Sequence, residues 1–155
     1  MIAVLQRVKE ACVSVEGTVV GCCGVGMSIL LGVAKGDTEE DARALAEKIV
    51  NLRIFPDENG KMNLSLKDVD GELLVISNFT LLAAYKKGKR PDYMGAAAPD
   101  EAKRLYEYFG GLCQTQVKHV GLGEFGAHME IRMVDDGPVT IVMDSNVLLS
   151  KNQRP

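Results

Sequence analysis

The chain has 155 residues, 46% of them hydrophobic and 25% charged, with a formal net charge of −3. That is long enough to bury one core without staples, and the composition is globular rather than disordered. The charge excludes a uniformly basic surface, although a local basic patch is enough to meet phosphates.

Arg7, Lys9 and Glu10 interrupt the first apolar residues before a signal-peptide core can form, and no apolar run reaches membrane-spanning length. The expectation is a soluble, cytoplasmic protein with no membrane partner. Cys12, Cys22, Cys23 and Cys113 make no C-x-x-C pair, and two adjacent cysteines rarely hold one metal together. Neither a metal nor a cofactor is expected, and the thiols are read as buried and reduced.

In chain order, Met1–Val8 and Ala11–Val15 read as strands, and Glu16-Gly17 turns the chain into a third, Thr18–Cys23. Met27–Val33 is almost continuously apolar, as in a strand buried on both faces. The period then changes. Ala42, Leu45, Ala46, Ile49 and Val50 recur at helical spacing, with Asp37 or Thr38 as cap and Glu39, Glu40 and Asp41 at the positive end of the dipole. Gly71–Phe79 carries another buried strand. Pro99 and Asp100 open a second helix through Leu105, Tyr106 and Phe109, ending near Gly110-Gly111. Strands return at Thr115–Val120, Met129–Val134 and Val139–Met143. With no repeat, linker or internal boundary, residues 1–155 read as one α+β domain: a mostly antiparallel, barrel-like sheet with two main helices.

Three places combine polar groups with unusual backbone demands. Ser77-Asn78-Phe79-Thr80-Leu81 gathers two hydroxyls and an amide where a buried strand leaves the core. Such residues can line a pocket or simply satisfy nearby backbone. Lys86-Lys87-Gly88-Lys89-Arg90-Pro91 is the only dense basic run, so Lys86, Lys87, Lys89 and Arg90 are candidates for meeting phosphates. Gly137-Pro138 interrupts two β-forming runs. A tight turn explains it, and so does a backbone presented to a ligand where no side chain intervenes. His119 and His128 are the only histidines; neither sits in a triad motif, and His128 reads as structural or surface. No nucleophile elbow, zinc motif or P-loop is present.

Together these places resemble the D-aminoacyl-tRNA deacylase (D-tyrosyl-tRNA deacylase) family. The likeness runs from Met1 to about Ser145. It rests on Ile2–Val8, Arg53-Ile54-Phe55 with Gly60-Lys61-Met62-Asn63, Ser77–Leu81, Arg90-Pro91 and Gly137-Pro138-Val139-Thr140, in that order. Each block is weak alone, and their order is specific.

The resemblance implies a homodimer that hydrolyses the ester between a D-amino acid and the 3′ end of tRNA, with glycine as a further substrate on mischarged tRNA. No DNA partner is implied. Gly137 and Pro138, joined by a cis bond, would enter the partner subunit's site and reject L side chains with main-chain carbonyls. Arg7 would hold their orientation. Ser77, Asn78, Phe79 and Thr80 would line the catalytic pocket, with Met129 at its wall. Two positions depart from the family's usual motif: Asn78 stands for a glutamine, and Asp135 for an asparagine. Two alternatives remain open: a tRNA-binding protein that has lost hydrolysis, and an esterase with Thr80 as nucleophile.

Overall fold

A computed structural model describes residues 1–150, and residues 151–155 of the tail lie outside the described part. The elements are β1 (Ile2–Val15), β2 (Thr18–Cys23), β3 (Gly26–Gly32), α1 (Glu39–Val50), β4 (Phe55–Pro56), β5 (Met62–Leu64) and β6 (Glu72–Ser77). A 3-10 turn (Phe79–Leu82), α2 (Pro99–Gln114), β7 (Val120–Leu122), β8 (Glu130–Asp144) and α3 (Ser145–Leu148) complete the described chain.

β1 organises a six-stranded sheet. It pairs antiparallel with β2 and β3 along one side and with β8 along the other. β3–β6 and β6–β7 are parallel pairs, so the sheet is mixed. Parallel neighbours need crossovers, and α1 and α2 supply them. The path bends toward closure: the His119 imidazole Nε2 lies 2.9 Å from the carbonyl of Cys22 at the end of β2.

The sheet and helices share one core. α1 contributes Ala42, Leu45, Ala46, Ile49 and Val50, and α2 contributes Leu105, Tyr106, Phe109 and Cys113. They pack on Leu5, Met27, Ile29, Leu31, Leu73 and Val75. A second cluster, on Val8, Val13, Leu74 and Ile76, is covered by Met129 and Met133. The start of α1 is fixed by Asp41, whose carboxylate accepts from the Thr38 N–H (2.8 Å) and hydroxyl (3.1 Å). Asp41 also accepts from the Ser145 hydroxyl at 2.7 Å, and that hydroxyl in turn accepts from the buried α-amino group of Met1 at 2.5 Å. Asp37 pairs with the same ammonium at 2.8 Å, so this buried charge is compensated.

Five readings change. The first two expected strands are one, because the exposed Lys9 and Glu10 stay extended and Glu10 pairs with Val134. α2 runs through Gly110-Gly111 to Gln114, since Gly110 and Cys113 belong to its buried face. The strand expected at Thr115–Val120 therefore begins only at Val120.

Gly137-Pro138 reverses nothing. β8 continues through it, and both halves pair with β1. The register moves from Gln6↔Thr140 to Val8↔Asp135, so the dipeptide sits in a bulge. β8 pairs only with β1, and an edge bulge is where a proline without an N–H is tolerated.

The last change concerns the thiols. The β1–β2 hairpin places Cys12 directly opposite Cys22, with Cα atoms 4.1 Å apart, and the two form a disulfide rather than the expected reduced pair. Cys23 and Cys113 are free and buried.

Candidate active site

β6 ends at Ser77, beside the end of β3, and the chain turns into the 3-10 turn. Asn78 directs that turn. Its backbone N–H donates to the Leu31 carbonyl at 2.8 Å, and its side-chain Oδ1 accepts from the Thr80 N–H at 3.2 Å. The Thr80 hydroxyl donates to the same Oδ1 at 2.5 Å. Asn78 is thus the cap of the turn, a role that needs only a side-chain oxygen at short reach. Gly32 makes room for it: a Cβ there would lie 2.6 Å from Leu82 Cδ2 and 3.0 Å from the Asn78 carbonyl.

Above this turn lies an open cavity of about 720 Å³. Ser77, Asn78, Phe79 and Thr80 form one wall, and Met129, with His128 and Ile131, forms another. Between them stand Tyr93, from the loop before α2, and Phe125, from the loop after β7. The Phe79 and Tyr93 rings meet edge to face at 5.1 Å and 74°. Behind the wall, the buried Tyr106 hydroxyl donates to the Val75 carbonyl at 2.9 Å and reaches the Gly123 carbonyl at 3.3 Å. Burial pushes that phenol up to about 12, so it stays a neutral donor tying α2 to β6 and to the loop after β7.

Ser77, Asn78, Phe79, Thr80 and Met129 therefore come together. His128 joins them, exposed at the cavity rim. The hydrophobic part of the wall carried no sequence signal: Leu30 and Val33 read as buried strand, Ala102 as helix and Ala97 as the loop before it. Phe125–His128 could have been suspected as a segment without period between two expected strands.

Gly137 and Pro138 are not in the lining of this chain's own cavity; both are exposed, and their peptide bond is cis. They are held from one side. The Arg7 guanidinium is mostly buried and donates through Nε to the Asp136 carbonyl at 2.7 Å and through Nη1 to the Ile54 carbonyl at 2.7 Å. It also pairs with the Asp136 carboxylate at 3.4 Å. Asp135 accepts from the Gln6 side-chain amide at 3.3 Å, so the carboxylate at this position is used as an acceptor. Lys86, Lys87, Lys89 and Arg90 lie outside the cavity lining, on the exposed loop that leads to Tyr93. Among the described residues, no cluster of His, Cys, Asp and Glu is arranged to hold a metal. No helix is long and apolar enough to cross a membrane.

A family model for D-Tyr-tRNA(Tyr) deacylase matches residues 4–144. The chain belongs to that family. The D-aminoacyl-tRNA deacylases of Thermosipho africanus and Caldicellulosiruptor saccharolyticus are 57% and 58% identical over 145 residues, 94% of this chain and 97% of each relative. Among solved structures, the c-Myc DNA unwinding element binding protein superposes with a TM-score of 0.87 at 37% identity, over 93% of this chain and 98% of that one. A probable eukaryotic D-amino acid tRNA deacylase superposes with a TM-score of 0.80 at 16% identity, over 92% of this chain and 97% of that one, a likeness of fold alone. Family membership makes the cavity the candidate active site of an ester hydrolase.

Proposed function

We propose that this chain is a cytoplasmic homodimer that hydrolyses the ester joining a D-amino acid to the 3′ end of tRNA, and also glycine carried by the wrong tRNA. The observation that carries this reading is the division of the site. The cavity has a built wall at Ser77–Thr80, while Gly137-Pro138 stands exposed outside it and is anchored from behind by Arg7. A second copy, placing its dipeptide over this cavity, supplies the missing wall. Its main-chain carbonyls then accept from the substrate's ammonium and occupy the volume that an L side chain needs. Glycine and any D side chain fit the same backbone filter.

The chemistry asked of the protein is modest, because an aminoacyl ester is already activated. The Phe79 N–H opens the 3-10 turn and has no acceptor within it, so it can donate to the developing oxyanion. The Thr80 N–H is committed to Asn78. Thr80 is a poor nucleophile here, since its hydroxyl proton is given to an amide oxygen rather than a base. The neighbouring 2′-OH of the terminal ribose assists the attack instead. Oriented donors and a held substrate supply several kcal/mol. The test is release of D-tyrosine from D-Tyr-tRNA by the purified protein. Binding without release would favour the tRNA-binding reading that lacks hydrolysis.

A further inference from the structure

Between the two aromatic residues at the cavity mouth, the chain makes an excursion that the chemistry above does not use. Residues 84–92 form a small hairpin. Ala84 and Asp92 exchange backbone hydrogen bonds at 2.7 and 2.8 Å, and the Asp92 carboxylate accepts from the Met94 N–H at 2.6 Å. Gly88 turns the tip at φ 69°. One end of the hairpin runs back to Thr80 and the other to Tyr93, both cavity residues, so the excursion is rooted at the rim.

The hairpin's composition is unusual for a solvated loop. Lys86, Lys87, Lys89 and Arg90 put four positive charges within five residues of a chain whose net charge is −3. None of the four forms an ion pair among the described residues. Tyr85, beside them, is 81% exposed, and Met94, just past the hairpin, is 71% exposed. One exposed aromatic is ordinary. A bare aromatic ring next to unpaired cations at the rim of a cavity is the combination that single-stranded nucleic acid recognises: bases stack on the ring while phosphates follow the charges.

We infer that hairpin 84–92 is the binding element for the single-stranded 3′ end of the RNA, with Tyr85 as a base-stacking platform and Lys86, Lys87 and Lys89 as its phosphate contacts. The inference rests on the proposed function, because it takes the occupant to be the strand whose terminal ester enters the cavity. A duplex would present only phosphates and offer Tyr85 nothing to stack on. The single strand uses both features.

The test is binding, so it does not depend on turnover. An uncharged RNA minihelix with a four-nucleotide 3′ overhang is compared with the same helix cut blunt, by fluorescence anisotropy at two salt concentrations. Tyr85→Ala should weaken binding of the overhang helix about tenfold, the usual scale for one lost base stack, and leave the blunt helix unaffected. Tyr85→Phe should restore it. Replacing the three lysines by alanine should lower the salt slope by about 2. The proposal is overturned if Tyr85→Ala binds the overhang helix as wild type does, or loses both helices equally. Absence of D-Tyr-tRNA hydrolysis would defeat the catalytic reading instead, leaving the result on the hairpin to be read from the overhang.

Discussion

Arg7 Nε donates to the carbonyl of Asp136 at 2.7 Å, and the next two residues of β8 are the exposed Gly137 and Pro138. A mostly buried guanidinium on β1 thus sets where the bulge of β8 points. Its second bond, to Ile54, ties the same group to the segment after α1. Arg7→Met removes both charged donors and leaves two carbonyls short of a partner, which should cost about 2 kcal/mol of stability. The discrimination between D- and L-Tyr-tRNA should fall by more than tenfold, a larger effect than on the D rate. A folded Arg7→Met with unchanged discrimination would show that the bulge holds its shape without this anchor.

Thr80 tests the chemistry. Its hydroxyl serves as a donor to Asn78, so Thr80→Val should keep kcat/KM within about tenfold of wild type. Asn78→Ala should do more harm, because it removes the cap of the whole turn, worth about 1 kcal/mol. Loss of all activity in Thr80→Val, with Asn78→Ala active, would return Thr80 to the role of nucleophile.

The cysteines divide into two classes. The native protein should show almost no thiol reactive to Ellman's reagent at pH 8, because Cys12 and Cys22 are joined and Cys23 and Cys113 are buried. After denaturation without reductant, two thiols should appear. Four would mean that the Cys12–Cys22 pair is reduced in solution. Cys12→Ser should cost about 2–3 kcal/mol by releasing the loop closure of the hairpin.

Alkaline pH should unfold the protein earlier than its carboxylates would suggest. Burial raises Cys23 from 9.0 to about 11, with the charge of Glu72 adding to it. Burial alone raises Cys113 from 9.0 to about 12, and burial raises Tyr106 from 10.0 to about 12. In each case the unfolded chain loses its proton first. The stability these groups contribute is therefore complete below pH 9 and is lost as pH rises through the folded values. Urea midpoints should fall steadily above pH 9, and Cys113→Ala should reduce that fall. A midpoint flat to pH 11 would contradict the burial of these groups.

Much of the fold was legible because its signals are local. The helical period of Ala42–Val50 and the continuous apolar run of Met27–Val33 mark α1 and β3 wherever they occur. What could not be read was pairing between distant segments. Gly137-Pro138 looks like a turn until β1 is seen to pair with both sides of it. Gly110-Gly111 looks like a helix end until Leu122 and the sheet cover that face. The disulfide was within reach: Cys12 and Cys22 are placed almost symmetrically about Glu16-Gly17, and a hairpin centred there sets them opposite. At the site, the polar residues announced themselves, whereas the apolar wall looked like core. Asp135, where the resemblance implied an asparagine, stands opposite Val8 and accepts from the Gln6 side chain, a role that only the register of β8 reveals.

The central claim is that the chain removes D-amino acids from tRNA and spares L. The most direct measurement follows the release of tyrosine from D-Tyr-tRNA and L-Tyr-tRNA side by side, at the same enzyme concentration and salt. Rapid release from the D substrate, with the L substrate decaying only at its uncatalysed rate, is the predicted result. Equal release from both, or none from either, would contradict the account.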